Sequence, residues 1–161
     1  MSFDEVEFIP SAYGGWEAEI EFQGLMVVLA VDEAELTGGA QEQIGRVVSD
    51  LEALDRVART ALLDANTDDE EGYDPVSLFI THHLDELDKN AVATLFGSTT
   101  PSTQVFLAKL VLAAVSFHPE QDDEDEAFAT FDYTLPGELT DYMLSVRFDG
   151  DSNPIDIDME S

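Results

Sequence analysis

Alternation of apolar and polar residues near the amino terminus predicts a β-hairpin. The segment WEAEIEF at 16–22 places Glu17, Glu19 and Glu21 on one strand face and its apolar side chains on the other. After a short turn, LMVVLAV at 25–31 reads as a second strand, and its β-branched residues lead us to expect deeper burial. The first strand is therefore expected to carry an acidic outer face.

A helical period follows the hairpin. Apolar residues recur at steps of three and four from 44 to 65, which predicts one long amphipathic helix ended by an acidic loop at 66–74. On its exposed side three acids each precede an arginine by four residues, the favourable order for a helical ion pair. These pairs are Glu42 with Arg46, Glu52 with Arg56, and Asp55 with Arg59.

Shorter helices and a carboxy-terminal meander complete the predicted fold. Helices are expected at 75–87 and 90–96, and the apolar run at 105–117 favours a helical turn followed by a buried strand from about residue 109. Three further strands are predicted at 127–134, 141–148 and 155–159.

The last two of these strands have one register that packs their apolar faces on the same side. It places Arg147 beside Asp156 on the outer face. The whole pattern predicts a single α+β domain over 1–161, with a mainly antiparallel sheet, an amino-terminal hairpin plus the carboxy-terminal meander, packed against the central helices.

The charge balance limits the classes of partner. The chain has 161 residues with 36 Asp and Glu against 6 Lys and Arg, a formal charge of −30, yet 44% of it is apolar, which predicts a folded acidic protein. Such a surface repels nucleic-acid phosphates and anionic membranes, so neither is expected as a direct partner. A basic protein, a cation or a cationic ligand is the natural partner class, and adaptation to a salty cytoplasm or plain solubility is the alternative explanation of the charge.

A cytoplasmic location is expected. The amino terminus MSFDEVEF is acidic where a signal peptide starts with basic residues, and the longest apolar run, at 25–31, is too short to span a bilayer.

The acids gather in two loops, at 66–74 and 120–126, and on two strand faces. The segment EQDDEDE at 120–126 separates two predicted strands and is expected to be solvated. Alternate residues of a strand lie roughly 6.6 to 6.8 Å apart, a spacing comparable with successive phosphates of a nucleic-acid strand. The predicted partner-binding acidic surface consists of Glu17, Glu19, Glu21, Asp122, Asp123, Glu124, Asp125, Glu126, Asp156, Asp158 and Glu160.

One candidate metal site is a calcium-loop pattern at 149–160. Asp149, Asp151, Asn153 and Glu160 occupy positions one, three, five and twelve, but Pro154 stands where such a loop needs glycine. A hairpin turn followed by a strand explains the same residues.

The other candidate metal ligands are His82, His83 and His118, each close in sequence to a carboxylate. Adjacent residues of a helix point about 100° apart, so the alternative is surface histidines whose pKa is raised by the surrounding negative charge. No catalytic residue and no cofactor is predicted, because the chain lacks cysteine, a G-x-S-x-G elbow and a phosphate-binding glycine loop.

The segments LVLAAVSFHPE, FATFDYTL and ELTDYMLSVRFDGDSNPIDIDMES together resemble an uncharacterised bacterial family, catalogued as the domain of unknown function numbered two thousand and four. The resemblance is most specific over 110–161. It implies a small bacterial cytosolic α+β domain without established catalytic residues, so no site residue is carried over.

Three hypotheses for function follow. The leading one is a non-enzymatic acidic protein that binds or inhibits a basic protein, as an immunity protein or nucleic-acid mimic does. The second is a divalent-metal-binding or hydrolytic protein that uses histidine and carboxylate groups. The third gives the acidic surface no partner and attributes the charge to solubility or salt adaptation.

Overall fold

A seven-stranded sheet, with its strands in chain order, forms the body of the protein. The computed structural model describes residues 5–12, 14–32, 35, 37–68, 74–119 and 127–160. The strands are β1 Ile9–Pro10, β2 Trp16–Phe22, β3 Leu25–Val31, β4 Val111–Phe117, β5 Ala129–Thr134, β6 Met143–Phe148 and β7 Pro154–Glu160. The predicted α+β domain, with its hairpin and meander, is confirmed.

One strand pair differs from all the others. The strands β3 and β4 are parallel, with Val28 opposite Ala114, whereas every other neighbouring pair is antiparallel. A parallel pair needs a long crossover, and this one contains the five α-helices of the described residues. The strand β4 thereby joins the hairpin and the meander into one sheet.

The crossover helices begin where the sequence supplies caps. They are α1 Gly38–Ser49, α2 Leu51–Asp68, α3 Pro75–Glu86, α4 Lys89–Phe96 and α5 Thr103–Ala108. The side chain of Asp74 accepts from Ser77 N at 3.0 Å, and Ser102 accepts from Val105 N at 3.2 Å. The helical turn followed by a strand, expected at 105–117, is confirmed. None of the described helices has the length and apolar character to cross a bilayer.

The prediction of one long helix over 44–65 is wrong. The chain breaks at Asp50, whose ψ of 17° departs from helical geometry, and the helix after the break continues to Asp68, beyond the expected start of the acidic loop. The break does not interrupt the apolar pattern, because Val48 and Leu51 are both buried. Periodicity alone therefore could not locate it.

Asp55 also differs from its prediction. It forms the expected ion pair with Arg59 at 3.1 Å, but it lies in the interior, with 3% of its surface exposed. There the Tyr133 hydroxyl donates to its carboxylate at 2.6 Å. Burial, together with this carboxylate, raises the pKa of the Tyr133 phenol above its usual range. The other two predicted helical pairs, Glu42–Arg46 and Glu52–Arg56, lie on the surface as expected.

The strand β3 is buried on only one face, contrary to the expectation of deep burial. Val27, Leu29 and Val31 face the helices and are buried, whereas Met26 and Val28 are 56% and 39% exposed. A continuous apolar strand is typical of a sheet covered on both faces. Here the second face leaves two large apolar side chains in contact with solvent.

Candidate functional site

The candidate site is the sheet face opposite the helices, which we call the open face. The registers of the strands align its side chains in rows across the sheet. One row contains Glu17, Ala30, Ser116, Thr130, Arg147 and Asp156, and the next contains Glu19, Val28, Ala114, Asp132, Ser145 and Asp158. The two predicted acidic strand faces thus lie on the same face, with four strands between them.

On β2 the acids form an exposed row. Glu17, Glu19 and Glu21 all lie in contact with solvent, and Glu17 accepts a hydrogen bond from Ser11 Oγ at 3.0 Å. Within the described residues no Lys or Arg forms an ion pair with any of these carboxylates. Beside them on β3, Val28 pairs with Glu19 and Met26 with Glu21. We call this combination of the three acids with Met26 and Val28 the β2–β3 strip.

On β7 the acids instead surround an internal cation. Arg147 Nη1 lies 2.8 Å from Asp156 and 3.8 Å from Asp158, and its Nη2 lies 2.7 Å from Glu160. The predicted neighbour relation of Arg147 and Asp156 is confirmed. A guanidinium has five N–H donors in a planar fork, which suits it to several carboxylates at once. These three acids are therefore partly neutralised by the protein itself.

Between the two acidic rows lies a half-buried carboxylate, Asp132. Burial raises its pKa, the hydrogen bond donated by Ser145 at 2.6 Å opposes that rise, and the nearby charge of Glu160 adds to it. Ser145 is itself fully buried and also reaches Glu160 at 3.5 Å. The centre of the open face is thus a linked polar cluster rather than an accessible acidic surface.

His118 links three segments at one end of the open face. Its Nδ1 lies 2.7 Å from Asp32 Oδ2, and its Nε2 lies 3.2 Å from Thr130 Oγ1. When Nδ1–H donates to the Asp32 carboxylate, Nε2 of the neutral ring accepts a hydrogen bond from the Thr130 hydroxyl. These hydrogen bonds tie the end of β3 to β4 and β5.

The order acid, histidine, hydroxyl is also that of a hydrolytic triad. Thr130, however, lies in the interior of the sheet, with β4 and β6 pairing on either side. The neighbouring cation, Arg147, is already occupied by three carboxylates. The hydrogen bonds of His118 are explained by a structural role, since they join the ends of β3 and β4 to β5.

The rings of His82 and His83 contact each other, with centroids 5.1 Å apart, whereas His118 binds side chains of other segments. His83 is buried, with Nδ1 2.7 Å from the Phe79 carbonyl oxygen and Nε2 2.8 Å from Thr140 Oγ1. Burial lowers its pKa, so the expectation of a surface histidine with a raised pKa is wrong for this residue. His82 packs on Tyr142, with ring centroids 4.6 Å apart.

The acids of the calcium-loop pattern form a turn hydrogen bond and an ion pair instead of a shared metal site. Asp149 Oδ1 accepts from the backbone N–H groups of Asp151 and Asn153, each at 2.9 Å, so it closes a turn as the hairpin alternative requires. Glu160 binds Arg147. Across the described part of the chain, no group of three or more His, Asp or Glu is arranged to hold a metal ion.

Several residues of the open face were not found from the sequence. Asp32 and His118 are 86 residues apart, and no local pattern connects them. The outward position of Thr130 and Asp132 was available from their alternation with Phe131 and Tyr133. The acids of the predicted surface at 122–126 lie outside the described residues.

Searches against protein-family models, curated proteins and solved structures returned no match. The resemblance of the carboxy-terminal third to an uncharacterised bacterial family therefore stays a prediction, and function has to be argued from the chain itself.

Proposed function

We propose that the protein is a non-enzymatic binding protein that recognises a basic protein, in the manner of an immunity protein or nucleic-acid mimic. The β2–β3 strip, with Glu17, Glu19 and Glu21 beside Met26 and Val28, is the proposed recognition surface. The observation that carries the proposal is a row of exposed carboxylates without a cation partner among the described residues, directly beside exposed apolar side chains.

Both parts of the strip have a role in such a complex. The formal charge of −30 attracts a basic partner over long range and raises the rate of encounter. Lysine or arginine side chains of the partner would pair with the β2 carboxylates, while Met26 and Val28 lose solvent contact. Apolar burial at the centre of a polar rim is the usual arrangement of protein interfaces.

The acids of β7 are not part of the proposed recognition surface. Asp156, Asp158 and Glu160 are bound by Arg147, so a partner would have to compete with an internal cation for them. We therefore reduce the proposed surface from two strand faces to one. A cytoplasmic location belongs to the same proposal.

The test is affinity capture from native lysate at low salt with two matched double variants. Glu19→Gln with Glu21→Gln removes two charges from the strip, and Asp85→Asn with Glu86→Gln removes two exposed charges from α3. We expect wild type and the α3 variant to retain the same basic protein and the strip variant to lose it. Capture should weaken as ionic strength rises, because screening reduces the attraction.

Two results would contradict the proposal. One is the absence of any captured basic protein whose binding falls with salt. The other is equal loss in both double variants, which would assign the effect to bulk charge rather than to the strip.

A further inference from the structure

A second feature lies at one end of the sheet, beyond the β2–β3 strip. A cleft of about 510 Å³ opens between the β2–β3 turn, helix α2 and the junction of α5 with β4. Its volume falls within the range of small-molecule sites, roughly 300 to 1,000 Å³. The residues that line this cleft are not part of the β2–β3 strip, so the proposed binding of a basic protein assigns no role to the cleft.

Two cations face the cleft. The whole chain has six Lys and Arg, and both Arg59 and Lys109 line this one cleft, where Asp55 is the one carboxylate among the described lining residues. Among the described residues no acid forms an ion pair with Lys109. The cleft therefore has one more positive than negative group on a molecule whose formal charge is −30.

Contacts with Asp55 and Tyr133 fix the position of the Arg59 guanidinium. Its Nε donates to both Asp55 oxygens, at 3.1 and 3.2 Å, and its Cζ lies 5.1 Å from the centroid of the Tyr133 ring. These contacts use Nε and the face of the guanidinium, so Asp55 leaves the two Nη groups available. A cation fixed in this way loses little side-chain entropy when it binds an anion.

Apart from Gln23, the other described residues that line the cleft are apolar. Its walls include Phe22, Leu25, Leu110, Val111 and Leu112. Three of these residues, Leu25, Val111 and Leu112, also line a second cleft of about 740 Å³, whose described lining contains neither Arg59 nor Lys109. The apolar surface thus continues away from the two cations, as a ligand with an apolar chain would require.

We propose that this cleft binds an amphipathic carboxylate, with the carboxylate between Arg59 and Lys109 and the apolar chain along Leu25, Val111 and Leu112. A single negative charge is favoured over a polyanion because repulsion by the acidic surface grows with the charge of the ligand. A neutral apolar ligand would leave Lys109 without an ion-pair partner among the described residues.

The test uses octanoate as the probe, with 1-octanol as its neutral counterpart, in ligand-observed NMR titrations. Lys109→Met removes the exposed cation of the cleft. Lys89→Met is the matched control, because this exposed lysine on α4 also lacks an ion pair among the described residues and lies outside the cleft lining. We expect Lys109→Met to weaken octanoate binding about two- to fivefold and Lys89→Met to leave it unchanged.

Three results would overturn the proposal. They are no detectable octanoate binding to wild type, equal affinity for 1-octanol and octanoate, or equal weakening by both lysine variants. Salt separates this proposal from the one above: octanoate binding should hold or strengthen as salt screens the long-range repulsion, whereas capture of a basic protein should weaken.

Discussion

Tyr133 and Asp55 form a buried polar pair at the centre of the core. The phenol donates to the carboxylate at 2.6 Å, and Arg59 binds the same carboxylate from the solvent side. A buried charge is tolerated only when such partners replace the lost water. The pair therefore matters for stability as well as for the position of Arg59.

Tyr133→Phe is expected to destabilise the protein by about 1 to 3 kcal/mol, because it leaves a buried carboxylate with one donor fewer. Tyr142→Phe is the matched control, since the described residues offer its hydroxyl no hydrogen bond. Urea unfolding of both variants measures the difference. Equal stability of the two variants would show that the Tyr133 hydroxyl contributes nothing.

Gly15 is required by a close backbone approach. A Cβ at this position would lie 1.9 Å from the Val31 carbonyl oxygen, so Gly15→Ala forces β2 and β3 apart at their ends. We expect a loss of about 1 to 3 kcal/mol. At Gly38, in the first turn of α1, a Cβ meets nothing within 4 Å, and Gly38→Ala should be neutral or stabilising by less than about 1 kcal/mol. Thermal unfolding compares them, and a tolerated Gly15→Ala would contradict this packing.

Asp132 is expected to make stability depend on pH. Its folded-state pKa is raised above the reference value of 3.8, so the folded state holds the proton more tightly than the unfolded chain does. As pH rises above 3.8, the Asp132 carboxyl ionises in the unfolded chain before it ionises in the folded protein, so the free energy of unfolding falls. The fall ends once the carboxyl has ionised in the folded protein as well. Asp132→Asn removes this penalty while keeping an acceptor for Ser145.

The variant should thus be more stable than wild type at neutral pH, with an advantage that shrinks as the solution is acidified. Glu19→Gln, an equal change of charge at an exposed position of the same face, is the control for general repulsion. Chemical unfolding across pH gives both curves. A constant advantage at every pH would show that Asp132 does not titrate differently on folding.

Among the elements, β7 depends most on one residue of a neighbouring strand. It is the edge strand of the sheet, and three of its seven residues are acids bound by Arg147 of β6. An edge strand pairs on one side only, so repulsion among its own side chains weakens it directly.

Arg147→Met should therefore destabilise the protein by on the order of 1 kcal/mol and raise the amide exchange of β7 above that of β5. High salt should reduce both effects. Arg56→Met, which breaks a helical ion pair with 3.8 Å separation and both partners exposed, is expected to have almost no effect. If exchange rises equally in every strand, Arg147 does not act through β7.

Contacts between residues close in sequence could be predicted from the sequence, whereas contacts between distant segments could not. The helical pairs Glu42–Arg46 and Glu52–Arg56 follow from a four-residue spacing, and Arg147–Asp156 follows from strand alternation within one hairpin. The parallel pairing of β3 with β4 has no such local signal, because its partners are joined through five helices. The break at Asp50 also carries no signal in the periodicity.

For the whole molecule, the charge of −30 predicts a response to salt. Self-repulsion destabilises a compact acidic protein, so the midpoint of thermal unfolding should rise with monovalent salt. Calcium or zinc at matched ionic strength should add nothing, since no metal-ligand group is found among the described residues. An additional rise with either divalent ion would instead favour the metal-binding hypothesis.

The sequence by itself determined six of the seven strands of the sheet, the starts of α3 and α4 to within a residue, the acidic row of β2 and the local ion pairs. Each of these depends on residues a few positions apart, and periodicity reports such relations directly. Only the tertiary structure decided that Asp55 is buried, that Asp32 meets His118, that Met26 and Val28 remain exposed, and that Arg59 and Lys109 share a cleft. These relations join distant segments, and they exist only once the parallel pairing of β3 with β4 has brought the two halves of the sheet together.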